Sequence, residues 1–136
     1  MDLETVLKVL EGELFSQPSG PSPAADLALY RLEFSCGGAA DLMSDVLAFA
    51  RPDSLLLTGL THPQVVRTAE MAGILAIVFV RGKHPPPETA ALAAEVGIPL
   101  LGTRYKMYEA CGRLYAAGLP GTGFPDLYAL PVGMGK

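Results

Sequence analysis

From Ser54 to Gly118 the chain repeats one unit three times: an apolar run, a short turn, and a helical segment that ends at glycine. The units read SLLLTG with PQVVRTAEMAG, ILAIVFV with PPPETAALAAEVG, and IPLLG with TRYKMYEACGRLYAAG. Apolar runs without polar interruption suit strands buried on both faces, as in parallel sheets covered by helices. Pro63 and Pro87 fall where a first helical turn tolerates a missing N–H. Gly73, Gly97 and Gly118 fall where a helix closes. The alternation predicts an α/β chain with three layers, α/β/α, around a mostly parallel sheet of four to five strands with right-handed crossovers.

The sequence before this repeat is less regular. Leu3, Val6, Leu7, Val9 and Leu10 recur at helical spacing, so MDLETVLKVLEGELF reads as an acidic amphipathic helix. SQPSGPSPAAD, from Ser16 to Asp26, has no period and reads as a loop. LALYRLEFS, from Leu27 to Ser35, alternates, with Ala28, Tyr30, Leu32 and Phe34 on one face; it reads as a half-buried strand near a sheet edge. CGGAAD then turns the chain into DLMSDVLAFA, a helix with Leu42, Val46, Phe49 and Ala50 on one stripe, stopped by Arg51-Pro52-Asp53. One domain over residues 1–119 and a Pro/Gly-rich tail over 120–136 are expected. The tail residues Phe124, Leu127, Tyr128, Leu130 and Val132 are apolar enough to pack on the body or a neighbouring subunit; a disordered tail is the rival reading.

Composition narrows the class. Half of the 136 residues are hydrophobic and the mean hydropathy is +0.34, so the chain buries an unusual share of itself or hides apolar surface in an oligomer. No apolar run reaches the roughly 18 residues of a membrane span, and the acidic start lacks the basic region of a signal peptide. A cytoplasmic chain with no membrane role is the expectation. The net charge of −4 disfavours nucleic acid as a partner, but the charge is uneven. Residues 1–53 carry nine acids and three bases, residues 54–136 five acids and seven bases. Cys36 and Cys111 have neither CxxC nor metal-ligand spacing, so two thiols in a reducing compartment are expected, with a redox pair as the rival; no metal or cofactor is expected.

Loops leaving the C-terminal ends of parallel strands gather at one edge, where ligands of such sheets bind. Here they are TGLTHP, RGKHPPP and GTRYK, which hold Arg81, Lys83, Arg104, Lys106 and both histidines. Loop glycines let amides approach a bound group, and the following helices offer N–H donors and the positive end of a dipole. The site expected from them comprises Thr58, Gly59, Thr61, His62, Arg81, Gly82, Lys83, Thr103 and Arg104, facing an anionic small molecule. Structural readings stand beside this. Neither GxxxxGK[ST] nor GxGxxG is present, Thr61 with Gln64 forms a potential capping box, and His62 before Pro63 suits helix entry. His84 before three prolines reads as an exposed loop residue, and Asp41 with Asp45 as a solvated helix face. Tyr105, Tyr108, Gly112 and Tyr115 form a stripe suited to a second helix, either within the chain or across a homodimer or higher homo-oligomer.

LMSDVLAFA, LLLTGLTHPQVVRTAEMAGILAIVFVRGK and GIPLLGTRYKMYEACGRLYAAG together resemble the DRTGG domain, in particular its stand-alone members, over about Cys36 to Leu119. The resemblance implies a fold like the N-terminal domain of HPr kinase/phosphorylase. It also implies a regulatory role, as where DRTGG domains accompany CBS pairs or phosphotransacetylase, and a redox- or hydrogenase-associated protein partner. The chain departs from the namesake motif. Gly59-Leu60-Thr61-His62 stands where other members have a Gly-Asp-Arg turn, and Arg81-Gly82-Lys83 where they have Thr-Gly-Gly. The expectation is a non-enzymatic regulatory domain sensing a phosphorylated metabolite or nucleotide. The alternative is an oligomerisation or protein-interaction module with no small-molecule ligand. An enzyme would need an activated nucleophile or base, and only His62 with Thr58 or Thr61 approaches one.

Overall fold

The computed structural model describes residues 1–16 and 23–123. The chain runs α1 (Leu3–Leu10), β1 (Glu13–Ser16), α2 (Pro23–Tyr30), β2 (Cys36–Ala39), α3 (Met43–Phe49), β3 (Ser54–Thr58), α4 (Gln64–Ala72), β4 (Ile74–Phe79), α5 (Pro87–Val96), β5 (Leu100–Gly102) and α6 (Met107–Ala116). The five strands form one sheet in the order β1-β5-β4-β3-β2. Strands β2 to β5 are parallel neighbours and β1 joins β5 antiparallel.

The strand pleat explains the layers. Leu55 and Leu57 of β3, with Ala76 and Val78 of β4, point to one face and pack with α1, Leu29 of α2, and Ala110 and Leu114 of α6. Leu56, Ile77, Phe79 and Leu100 point to the other face and meet Met43 and Val46 of α3, Val65, Val66 and Ala69 of α4, and Ala93 of α5. From β2 to β5 each crossover steps to the adjacent strand in the same direction, and α3, α4 and α5 lie on one side. Each large side chain so buried contributes about 1.5–3 kcal/mol. Helix ends follow the local chemistry: Gly73 (φ 74°) and Gly97 (φ 83°) close α4 and α5 in the left-handed conformation, and Pro87 opens α5. No helix among the described residues is long and apolar enough to cross a membrane.

The first 50 residues differ from expectation. The segment from Leu27 to Ser35 is not a strand: α2 covers Pro23–Tyr30, inside the stretch read as loop and strand, and Leu29 is buried in it. Alternation persists only at residues 33–36, where buried Phe34 and Cys36 flank exposed neighbours on the way into β2. Instead of turning, CGGA is the edge strand β2. Its small residues carry little strand propensity, but Gly37 has a packing role, since a Cβ there would lie 2.9 Å from Leu119 Cδ2. The helix read through Phe15 ends at Leu10, where Glu11 turns left-handed (φ 48°), and residues 13–16 become β1. In α3 the inward residues are Met43 and Val46, while Leu42 precedes the helix and, like Phe49, is exposed. The tail residues 124–136 lie outside the described residues.

Candidate functional site

Helix α5 follows β4 onto one face of the sheet, and α6 follows β5 onto the other. The loops leaving these neighbouring strands meet at their carboxyl ends, the edge where ligands of such sheets bind. Arg81 and Gly82 come from the first of these loops, Thr103 and Arg104 from the second. All four line one cavity of about 680 Å³ together with Glu11, Glu13, Phe15, Gly102 and His84.

The Arg81 loop is strained and pinned. Val80 to Lys83 closes a turn in which the Lys83 amide donates to the Val80 carbonyl at 3.3 Å. Both central residues have positive φ, 63° at Arg81 and 70° at Gly82, the signature of a type I′ turn. For arginine this conformation costs roughly 1–2 kcal/mol. Two amides hold the turn to the next loop: Arg81 N–H donates to the Tyr105 carbonyl at 2.8 Å and Gly82 N–H to the Thr103 carbonyl at 2.9 Å. Strain held by such cross-loop bonds is characteristic of sites where a side chain must be presented.

The preceding loop is built differently. Thr58 is fully buried; its hydroxyl donates to Asp41 Oδ1 at 3.0 Å and accepts from the Leu60 amide at 3.1 Å. The Gly59 amide donates to the same Asp41 oxygen at 2.7 Å. Asp41 thus occupies the turn that the sequence offered to an external anion, and the reading of Asp41 as a merely solvated helix residue is corrected. The Gly59 amide holds its carboxyl below the usual range against the opposing effect of burial, with help from the Thr58 hydroxyl and the positive charges of Arg81 and Lys83. Gly59 is also where the two loops touch, because a Cβ there would sit 2.6 Å from Arg81 Nη2. The guanidinium lies over the glycine beside the Asp41 carboxylate.

The nine expected residues therefore separate. Arg81, Gly82, Thr103 and Arg104 share the cavity, but the buried Thr103 hydroxyl donates to the Leu10 carbonyl at 2.8 Å and so anchors α1. Thr58 and Gly59 belong to the Asp41 turn. Thr61, His62 and Lys83 are outside the cavity lining. The Thr61 carbonyl accepts from the buried Thr89 hydroxyl at 2.7 Å, a tie between the loop and α5, while the expected capping box does not form: Pro63 caps α4 with no side-chain hydrogen bond. His62 is exposed.

Five cavity residues, Glu11, Glu13, Phe15, His84 and Gly102, come from outside the expected set. His84 is exposed, as read, yet its ring lies 4.9 Å from Phe15 and its Nε2 lies 3.7 Å from Glu13 Oε1. Phe15, Glu13 and Glu11 arrive because β1 pairs with β5. The signal for this was a pair of glycines. A Cβ at Gly12 would lie 2.7 Å from the Gly102 carbonyl oxygen, and one at Gly102 would lie 2.2 Å from the Phe15 ring. The Tyr105 hydroxyl donates to Glu11 Oε2, which raises the phenol above its usual range, and Arg113 Cζ lies 4.1 Å from its ring centre. Tyr105 is thus spent within the chain, whereas Tyr108, Gly112 and Tyr115 remain exposed. No group of three His, Cys, Asp or Glu side chains able to hold a metal occurs among the described residues.

No family model matches the chain, and no curated protein matches it. Among solved structures it is similar to the CBS and DRTGG domains of the regulatory region of Clostridium perfringens pyrophosphatase, determined in complex with the activator diadenosine tetraphosphate. The TM-score is 0.64 at 16% identity, over 88% of this chain and 47% of that one. The likeness shows a shared α/β fold with a regulatory region, and this chain corresponds to about half of it.

Proposed function

We propose that the chain is a non-enzymatic regulatory domain of the DRTGG type that senses a phosphorylated metabolite or nucleotide in the cavity at the carboxyl ends of β4 and β5, beside β1. The observation that carries the reading is the convergence of Arg81 and Arg104 on one cavity of about 680 Å³, a volume in the range of small-molecule sites. Guanidinium groups match phosphate oxygens in charge and in fork geometry. The Phe15 and His84 rings, tilted 47° to each other, put aromatic faces on the same cavity, which suits stacking with a nucleobase. The similar pyrophosphatase region was determined with a nucleotide activator, which agrees with that ligand class. Against catalysis stands the state of Thr58, whose hydroxyl lies beside the Asp41 carboxylate but is fully buried with both hydrogen-bonding directions in use.

Binding stabilises the folded state by mass action, about 2.7 kcal/mol at a ligand concentration 100 times Kd. A thermal-melt panel of inorganic phosphate, mono-, di- and triphosphate nucleosides and dinucleoside polyphosphates should contain at least one compound that raises Tm by roughly 5–10 °C. Arg104→Ala should remove that response. A panel that moves no melting temperature would overturn the sensing role and favour the alternative, an interaction module with no small-molecule ligand.

A further inference from the structure

Helix α6 has one face in the core, through Ala110 and Leu114, and an opposite face that nothing described covers. On that face Tyr108 is 92% exposed and Tyr115 72% exposed, one on each side of Gly112. Tyrosine rings so exposed on a helix are costly in water unless a partner removes them from it. Beside them runs a groove of about 380 Å³ lined by Leu57, Cys111, Leu114, Leu119 and Pro120 together with the two tyrosines themselves. Knob and hole therefore lie on the same surface, the condition for a patch that complements itself.

We propose that this face docks a second copy of the chain, α6 against α6, antiparallel about a twofold axis near Cys111 and Gly112. Each helix presents its tyrosines to the groove of the other. The sequence along the helix selects the direction. Tyr108 and Tyr115 lie symmetrically about the point between Cys111 and Gly112, so the antiparallel pair sets Tyr108 opposite Tyr115 of the partner subunit. Charge favours the same direction: with the axis between Cys111 and Gly112, Glu109, which pairs with Arg113 at 3.9 Å within one helix, falls one residue from the level of Arg113 of the partner subunit, within reach of that long side chain. A parallel pair would oppose Glu109 to Glu109 and Arg113 to Arg113. Gly112 supplies the close approach, since a Cβ on it would meet nothing within 4 Å in the single chain. Tyr105 takes no part, being held by Glu11 and Arg113. This interface is separate from the anion cavity and does not rest on it.

Gly112→Arg separates folding from association. In the single chain the side chain enters open space and replaces a glycine inside a helix, so the variant folds; across the pair it fills the gap between helices. Sedimentation equilibrium of the full chain at micromolar concentration should show a dimer, with Gly112→Arg monomeric and cooperatively folded by thermal melt. Tyr115→Ala, on an exposed side chain, should weaken the dimer at least about tenfold. A short bismaleimide, spanning the ~8–10 Å between packed helices, should join the half-buried Cys111 of two copies in the wild type and not in Gly112→Arg. A monomeric wild type would overturn the proposal, as would a dimer indifferent to both substitutions. A chain ending at Gly123 whose Cys111 gains maleimide reactivity, with the full chain monomeric, would assign the groove to residues 124–136 instead and equally overturn it.

Discussion

The loops after β3 and after β4 lie side by side at the same edge of the sheet and meet at Gly59, yet they are stabilised in opposite ways. In the first, the Asp41 carboxylate accepts from the Gly59 amide and the Thr58 hydroxyl, and the turn is complete without any outside group. In the second, the backbone is held in a left-handed turn by the neighbouring loop while the Arg81 guanidinium is left at the surface beside a cavity. One loop carries its own anion; the other extends a cationic group that lies beside that anion and also lines the cavity. A glycine-rich turn after a parallel strand is thus no guide to a binding site until the partners of its amides are known.

Removing the carboxylate is the most damaging way to test this contrast. Asp41→Ala leaves the Gly59 amide and the buried Thr58 hydroxyl without their acceptor, and the expected loss in urea unfolding is about 2 kcal/mol. Because Asp41 titrates below its ordinary value in the folded chain, its contribution is fully present above about pH 4 and is lost as pH falls through the lowered folded value. The stability of Asp41→Asn should therefore fall less steeply with acid than that of the wild type. An Asp41→Ala protein as stable as the wild type would show that the first loop does not depend on its internal carboxylate.

The second loop should respond with the opposite sign. Arg81→Gly relieves a left-handed arginine and should raise stability by about 1 kcal/mol in the same assay while it abolishes the melting response to phosphorylated compounds. A loss of stability would mean that the Arg81 side chain, lying over Gly59 beside Asp41, is a structural clamp first.

The sequence made the second half of the chain legible because its signals agree with one another. Uninterrupted apolar strands, Pro87 at a helix start, and Gly73 and Gly97 at helix ends all favour the same elements, and each was found where expected. The first half carries weaker signals whose meaning depends on distant partners. CGGA is a strand because β3 pairs with it and Leu119 packs on Gly37, and Phe15 reaches the cavity because β1 crosses to β5. The site was half legible for the same reason. Strand direction brings Arg81 and Arg104 to one edge, but the carboxylate that fills the Gly59 turn lies 18 residues upstream. Nothing local marks Asp41 as anything but a polar residue before a helix.

The account rests on the cavity at the carboxyl ends of β4 and β5 being where a phosphorylated compound sits. The most direct test is a ¹H–¹⁵N correlation titration with whichever compound raises the melting temperature. The amides of Gly82, Gly102 and Arg104 and the Arg81 side chain should shift most, with Gly59 following through its contact with Arg81 and α6 largely unmoved. Shifts centred on Tyr108, Gly112 and Tyr115, with Arg81 and Arg104 silent, would contradict it.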